Sequence, residues 1–271
     1  MTTLRHYLRT PKGLTLALFI PLLAIGAIGA GWRNVVLPVG SAVAAAMLFD
    51  LVVLRMRKGR WIFPDGALLT ALIVAMILSP HERWWIAPVT SLIGVASKYV
   101  VRVRKANVFN PAALGLVATF YMYDTGQSWW GALGDLSPWA LALLIAAGWF
   151  AAYRIRKLPG AIAFLGAYFL LATVAAFLGN PRQMAELFEV PDLNAAIFFA
   201  FFMVTDPPTS PGRGRDQVFF AALTAVVAFG VFRWIGAAYY LLAGVLVANL
   251  WDAWVKHADT VRRQHLHAMS S

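Results

Sequence analysis

Cysteine is absent from all 271 residues, and charged side chains make up only 13% of them. Without thiols the chain can form no disulfide, no thiolate nucleophile and no cysteine-held iron–sulfur cluster. Histidine is scarce as well: His6, His81, His257, His265 and His267 lie near the termini or between apolar runs, so no span offers a histidine pair for a haem. The low charge excludes an ordinary soluble globule, because 61% of residues are hydrophobic, mean hydropathy is +0.69, and apolar runs repeatedly reach membrane length. The surplus of base over acid, 23 Lys and Arg against 12 Asp and Glu, would point to nucleic acid in a soluble protein. Here the bases cluster between apolar runs, where they set orientation, and nucleic-acid binding is not expected. The basic opening MTTLRHYLRTPKG precedes a long apolar run without a cleavage-type end, which reads as a retained first helix.

The chain contains ten apolar segments, at about residues 13–32, 34–54, 66–79, 84–101, 110–123, 138–153, 160–178, 193–205, 217–234 and 236–255. The expected fold is an all-α polytopic membrane protein. Residues 66–79, 110–123 and 193–205 are short, each covering only about 20 Å of a hydrocarbon core of about 30 Å. A cytoplasmic N-terminus places every Lys and Arg inside except Arg33, Arg83, Arg182 and Arg233, which predicts both termini on the cytoplasmic side of the cell (inner) membrane. Asp124, Asp135, Glu186 and Glu189 fall in outer loops.

A repeat is visible in two stretches, PDGALLTALIVAMILSP from Pro64 and PDLNAAIFFAFFMVTDP from Pro191, each with fourteen residues between Pro-Asp and the closing Pro. Each copy is the third segment of a set of five. Because five is odd, the second set enters from the opposite side, which predicts two inverted five-helix repeats with short half-helices. The domain reading is a cytoplasmic N-terminus at 1–12, a first repeat at 13–123, a short outer loop at 124–137, a second repeat at 138–255 and a cytoplasmic tail at 256–271.

Polar backbone-breaking residues inside a membrane must be buried in protein or line a cavity, since lipid cannot satisfy a freed amide. Two such breaks fall on the cytoplasmic side: Asn107-Val-Phe109-Asn110-Pro111, opening the fifth segment, and Phe202-Met-Val-Thr205-Asp206-Pro-Pro-Thr209, closing the eighth. Asn110 suits a helix N-cap and Pro111 the first turn, leaving N–H groups and the positive dipole end available to a ligand. Together the breaks predict an anion- or amide-recognising pocket, with Phe109 and Phe202 as aromatic surface. The plainer reading is that Asn110 caps a helix and Asp206 solvates a loop. Asp50, Lys98, Asn249 and Asp252 sit late in their segments and form a candidate ion or charge path. The pairings considered are Asp50 or Asp252 with Lys98, and Asp50 with Arg57 or Lys58. Trp129, Trp130 and Trp139 read as interfacial anchors, with an electron relay or quinone surface as the alternative.

The stretch GALLTALIVAMILSP…WW…SKY…NVFNPAALG, followed by FFMVTDPPTS…GRGR and AYYLLAGVLVANLWDAWV, resembles the RnfD/NqrB family, whose members are membrane subunits of the Rnf electron-transport complex and of the sodium-pumping NADH:quinone oxidoreductase. The resemblance implies ten helices in two inverted repeats, a bound flavin, and electron transfer coupled to ion movement. Members carry a long outer loop with a Ser-Gly-Ala-Thr-like motif whose Thr is esterified to FMN. Here the connection is YDTGQSWWGALGDLSPW, with Thr125 and Ser128 as its nearby hydroxyls and no such motif. The expectation is therefore a compact relative that holds FMN or riboflavin without a covalent bond at Asn107, Phe109, Asn110, Phe202, Thr205, Asp206 and Thr209, or takes electrons from a separate flavoprotein. Expected partners are membrane lipids and other redox subunits; by itself the chain lacks the groups of a complete enzyme. The alternative is a small-solute channel or transporter, because inverted repeats with half-helices are a transporter device.

Overall fold

A computed structural model of the chain describes residues 6–103, 106–136, 138–179 and 181–270, with side chains to residue 258. Eleven α-helices occur among them: a single turn, Pro181–Ala185, and ten longer helices whose positions follow the apolar segments. These are α1 (Pro11–Gly29), α2 (Trp32–Lys58), α3 (Asp65–Ile77), α4 (Ile86–Val100), α5 (Pro111–Tyr123), α6 (Pro138–Arg154), α7 (Leu158–Leu178), α8 (Asp192–Phe202), α9 (Gly214–Gly230) and α10 (Tyr240–Ser270). Four are long and apolar enough to cross a membrane: α1, α2, α7, and α9 continued through a π-helical turn to Ile235. Local chemistry sets several ends. The Thr10 side chain accepts from the Gly13 N–H with Pro11 following at the first turn, and α2 closes on Gly59, whose φ of 70° lies in the left-handed region that glycine adopts without strain.

Three details differ from the sequence expectation. The fourth segment is also short, with α4 only 15 residues long. A two-stranded hairpin, β1 (Arg102–Val103) with β2 (Ala106–Asn107), joins α4 to α5; Arg104 and Lys105 lie outside the described residues. Helix α10 runs through the expected tail at 256–271 to Ser270, because the amphipathic stretch after Asp252 contains neither Gly nor Pro to stop it.

Helix packing repeats between the halves. In the first, α2 packs on α3 and α4, α4 on α5, and α1 on α3; in the second, α7 packs on α8 and α9, α9 on α10, and α6 on α8. The contacts that join the halves include α1 with α6 and α5 with α10, each helix meeting its counterpart. One glycine crossing recurs in detail. A Cβ on Gly115 of α5 would lie 2.4 Å from the Thr90 carbonyl of α4, and one on Gly244 of α10 would lie 2.5 Å from the Thr224 carbonyl of α9. Thr90 and Thr224 are fully buried, and each donates its hydroxyl to the carbonyl four residues before it at 2.8 Å. Lipid tails are as apolar as leucine, so helices in a membrane gain little from burying apolar surface and depend on close backbone approach, which glycine permits. Helix α3 also packs on α4 and α5 without a comparable contact in the second half.

The half-helices are the enclosed elements. Every residue of α8 from Asn194 to Phe202 is buried, as is most of α3, whereas the best membrane window of α7 is only 22% buried. That contrast meets the requirement that a backbone break be covered by protein. The segment after α5 folds back to provide the cover. Ile77 at the end of α3 accepts the backbone N–H groups of Ser128 and Trp129 at 2.9 and 3.1 Å, and the Trp130 indole donates to the Ala75 carbonyl at 2.7 Å. Trp129 and Trp130 are consequently core residues, 7% and 3% exposed, and not the interfacial anchors expected; Trp139, at 59%, remains on the surface. Trp130→Phe, which deletes the donor and the smaller ring of the indole at a buried site, is expected to destabilise the protein by about 2–4 kcal/mol in a detergent melt.

Candidate functional site

The two polar breaks meet at the basic end of the bundle. Asn110 is 2% exposed; its side-chain oxygen accepts from the Ala113 N–H at 3.1 Å, capping α5, while its own N–H donates to Asn249 Oδ1 at 2.8 Å. Asn249, from α10, turns its amide nitrogen to the Thr209 carbonyl at 2.8 Å. In the turn after α8, the Thr209 hydroxyl donates to Asp206 Oδ2 at 2.7 Å, the Ser210 hydroxyl to the Asp206 carbonyl at 2.7 Å, and the Thr205 hydroxyl to the Phe201 carbonyl. One asparagine thus fastens the start of α5 to the turn that ends α8. Its two polar groups suit that task, since an amide donates and accepts at once.

Of the residues named from the sequence, Asn110, Thr205, Asp206, Thr209 and Asn249 come together. Asn107 does not, because β2 carries it into the hairpin opposite Arg102. Phe109 is half-buried between hairpin and helix. Phe202 packs its ring 5.0 Å from Phe19 and 5.1 Å from Phe198, inside the core and not on a ligand face.

The charge path takes partners other than those expected. Asp50 accepts the Tyr99 hydroxyl at 2.5 Å, and the Arg57 guanidinium lies 4.7 Å over the Tyr99 ring. Lys98 donates to the Gly66 carbonyl at 2.7 Å, and Asp252 pairs with Lys256, one helical turn on, at 2.5 Å. Lys12 likewise pairs with Asp65, at 2.7 Å. Asp50 and Asp252 are thus each satisfied nearby, and Lys98 instead ties α4 to the first turn of α3.

Two participants escape sequence reading. Lys157, counted among bases that set topology, is 6% exposed and donates to Ser210 Oγ at 2.9 Å and to the Ser210 carbonyl at 3.2 Å. Burial pushes its ammonium down to about 8, with Asp206 opposing, which leaves it protonated at neutral pH. Gln217 is 3% exposed and donates to the Gly212 carbonyl at 3.0 Å and the Arg156 carbonyl at 3.2 Å. No local spacing marks these residues, because each is defined by the turn folding back between α7 and α9.

A flavin edge needs free amides and hydroxyls around a sizeable space. At the break these groups are already engaged with one another, and the adjoining void, lined by Lys157, Gly160, Thr205, Ser210 and Gln217, is too tight to admit even a water molecule, where a small-molecule pocket needs roughly 300 Å³ or more. The residues named for the flavin do not fit it in this arrangement. The Thr125 hydroxyl is buried, the residue being 1% exposed, and so is withdrawn from the surface where a covalent flavin would attach.

The model of the NQR2, RnfD, RnfE family matches residues 8–138 and 127–263. Similar proteins are named as the D subunit of an ion-translocating oxidoreductase complex. That of Tolumonas auensis is 24% identical over 88% of this chain and 89% of its own length. That of Psychromonas ingrahamii is 22% identical over 77% of the chain and 63% of its own length, and that of Stutzerimonas stutzeri 33% identical over 53% and 40%. The family match spans nearly the whole chain, its helices fall where the apolar segments predict, and the chain belongs to the NQR2, RnfD, RnfE family.

Proposed function

We propose that this chain is the membrane subunit of a redox-driven ion-translocating complex, spanning the membrane ten times as two inverted five-helix units with both termini in the cytoplasm. The observation that carries the reading is the family match over both halves, joined to relatives named as the D subunits of such complexes. The recurrence of helix contacts, and of the Thr–Gly crossing, supports the repeat. The crowding of Lys and Arg at one end supports the orientation.

The role assigned to the chain's own residues is positioning. Asn249, Asn110 and the 206–210 turn hold two helix breaks together where lipid could not satisfy them, and the enclosed half-helices supply a rigid, water-poor interior. A flavin, which would supply the redox chemistry when bound, is part of the proposal as a non-covalent ligand, with no residue of this chain assigned to it.

Reversal of Arg102, Arg104 and Arg156 to Glu, with membrane insertion checked separately, is expected to abolish co-purification of a redox subunit, because the basic face attracts an acidic partner. In the unmodified assembly, flavin absorbance should leave the polypeptide on denaturation. A flavin mass adduct on the denatured chain would overturn non-covalent binding. A second reading, a small-solute transporter, draws on the enclosed half-helices. It takes precedence if native membranes yield only a homogeneous homo-oligomer that moves a solute into liposomes unaided.

A further inference from the structure

Lys157 has no task in the electron-transfer reading, yet its ammonium is enclosed as a bound ion would be. It meets Ser210 Oγ at 2.9 Å, the Ser210 carbonyl at 3.2 Å and the Pro211 carbonyl. Three oxygens from one stretch of non-helical chain therefore converge on a single positive charge, just beyond the end of α8. The C-terminal end of a helix is the negative end of its dipole, and unwound carbonyls beside such an end are a general means of holding cations in membranes.

A second observation points the same way. Gln217, 3% exposed, lines the same void, and its Oε1 has no hydrogen-bond partner among the described residues. A buried acceptor without a donor is costly, and its remaining demand is for a donor or a positive charge. The Asp206 carboxylate adds further negative potential at Lys157. The corresponding turn after α3 is closed otherwise: the Ser79 N–H donates to the Gly126 carbonyl at 3.0 Å, and Glu82 Oε1 accepts the Gly126 N–H at 2.7 Å. Backbone fills the place at one half-helix end, and a side-chain cation fills it at the other.

We propose that the pocket between α7, the 205–211 turn and α9 is a monovalent-cation site whose resident ion is the chain's own Lys157 ammonium, and that shortening this side chain opens it to a free ammonium or potassium ion. The distances to Ser210 suit a cation of ammonium size, and the single compensating charge is tethered, so the native protein needs no dissolved ion to close this turn. The assignment stands apart from the electron-transfer reading and does not depend on partners.

The test is a thermal melt of the purified full chain and of Lys157→Ala in ammonium, potassium, sodium and choline chloride at equal ionic strength. In choline the variant is expected to melt roughly 5–10 °C below the unmodified protein, and ammonium or potassium should restore at least about half of the loss by binding the folded state. The unmodified protein should melt alike in all four salts. Lys157→Met, whose stem still fills the pocket without a charge, should stay low in every salt. An Ala variant indifferent to the cation overturns the proposal, as does the same ammonium gain in the unmodified or Met protein. Failure of the Ala variant to accumulate even when grown and purified in ammonium also overturns it.

Discussion

Gly115→Ala and Gly244→Ala should each lower the melting temperature by roughly 10 °C, while Gly166→Ala, in the middle of α7, leaves it unchanged or slightly raises it. Alanine is the better helix former, by about 1 kcal/mol at an exposed interior site, so a loss at the first two positions has to come from packing. There the new methyl would sit 2.4 or 2.5 Å from a backbone carbonyl, against nothing within 4 Å at Gly166. A side chain can rotate away from such a collision, but the Thr90 and Thr224 carbonyls are held in helices, and each glycine's helix must move as a body. Overpacking of this kind costs about 3 kcal/mol, equivalent to roughly 10 °C for a chain of this size. Neutral outcomes at both glycines would refute the close crossing. A loss at only one would refute the equivalence of the two crossings, and with it the strongest local support for the repeat.

Asn249→Ala is the second large effect expected, at about 3 kcal/mol. The truncation leaves two buried backbone groups without partners, the Asn110 N–H and the Thr209 carbonyl, each now satisfied at 2.8 Å, and each such orphan costs about 1–3 kcal/mol. Hydrogen exchange at the Asn110 amide should accelerate along with the fall in melting temperature. Asn249→Asp keeps the acceptor and loses the donor, so Asn110 stays protected while the turn at Thr209 loosens. Asn107→Ala, in the hairpin, should change stability by no more than about 0.5 kcal/mol. Equal effects at Asn107 and Asn249 would mean that the break is held by something other than the asparagine bridge.

The run that stops on Thr205-Asp206-Pro207 illustrates how far local pattern reaches. Its shortness and its polar end foretold burial in protein, and α8 is buried along its length. Asn110 was legible as a cap, because capping depends on residues three apart, and the structure shows that bond. Its second partner was not legible: Asn249 lies 139 residues away, and local pattern offers it only as a member of a charge path. The tryptophans failed for a related reason. Aromatic residues beside a span usually sit at the membrane interface, but the 124–136 segment turns inward to satisfy the free carbonyls of α3, carrying Trp129 and Trp130 into the core.

By itself the sequence determined that the chain is a helical membrane protein, where its ten main helices lie, that three of them are too short to span unaided, and which end of the bundle is basic. Those properties follow from hydropathy, length and charge along the chain, each set by residues close in sequence. Only the tertiary structure decided what each break is tied to: Asn249 between α5 and the 206–210 turn, Lys157 in that turn's carbonyls, Lys98 on α3, Tyr99 on Asp50. In an interior without water every buried donor and acceptor has to find its partner within the protein, and which partner it finds depends on how helices distant in sequence cross. That crossing is governed by close backbone contacts such as Gly115 on Thr90 and Gly244 on Thr224, a matter of fit in three dimensions that no periodicity records.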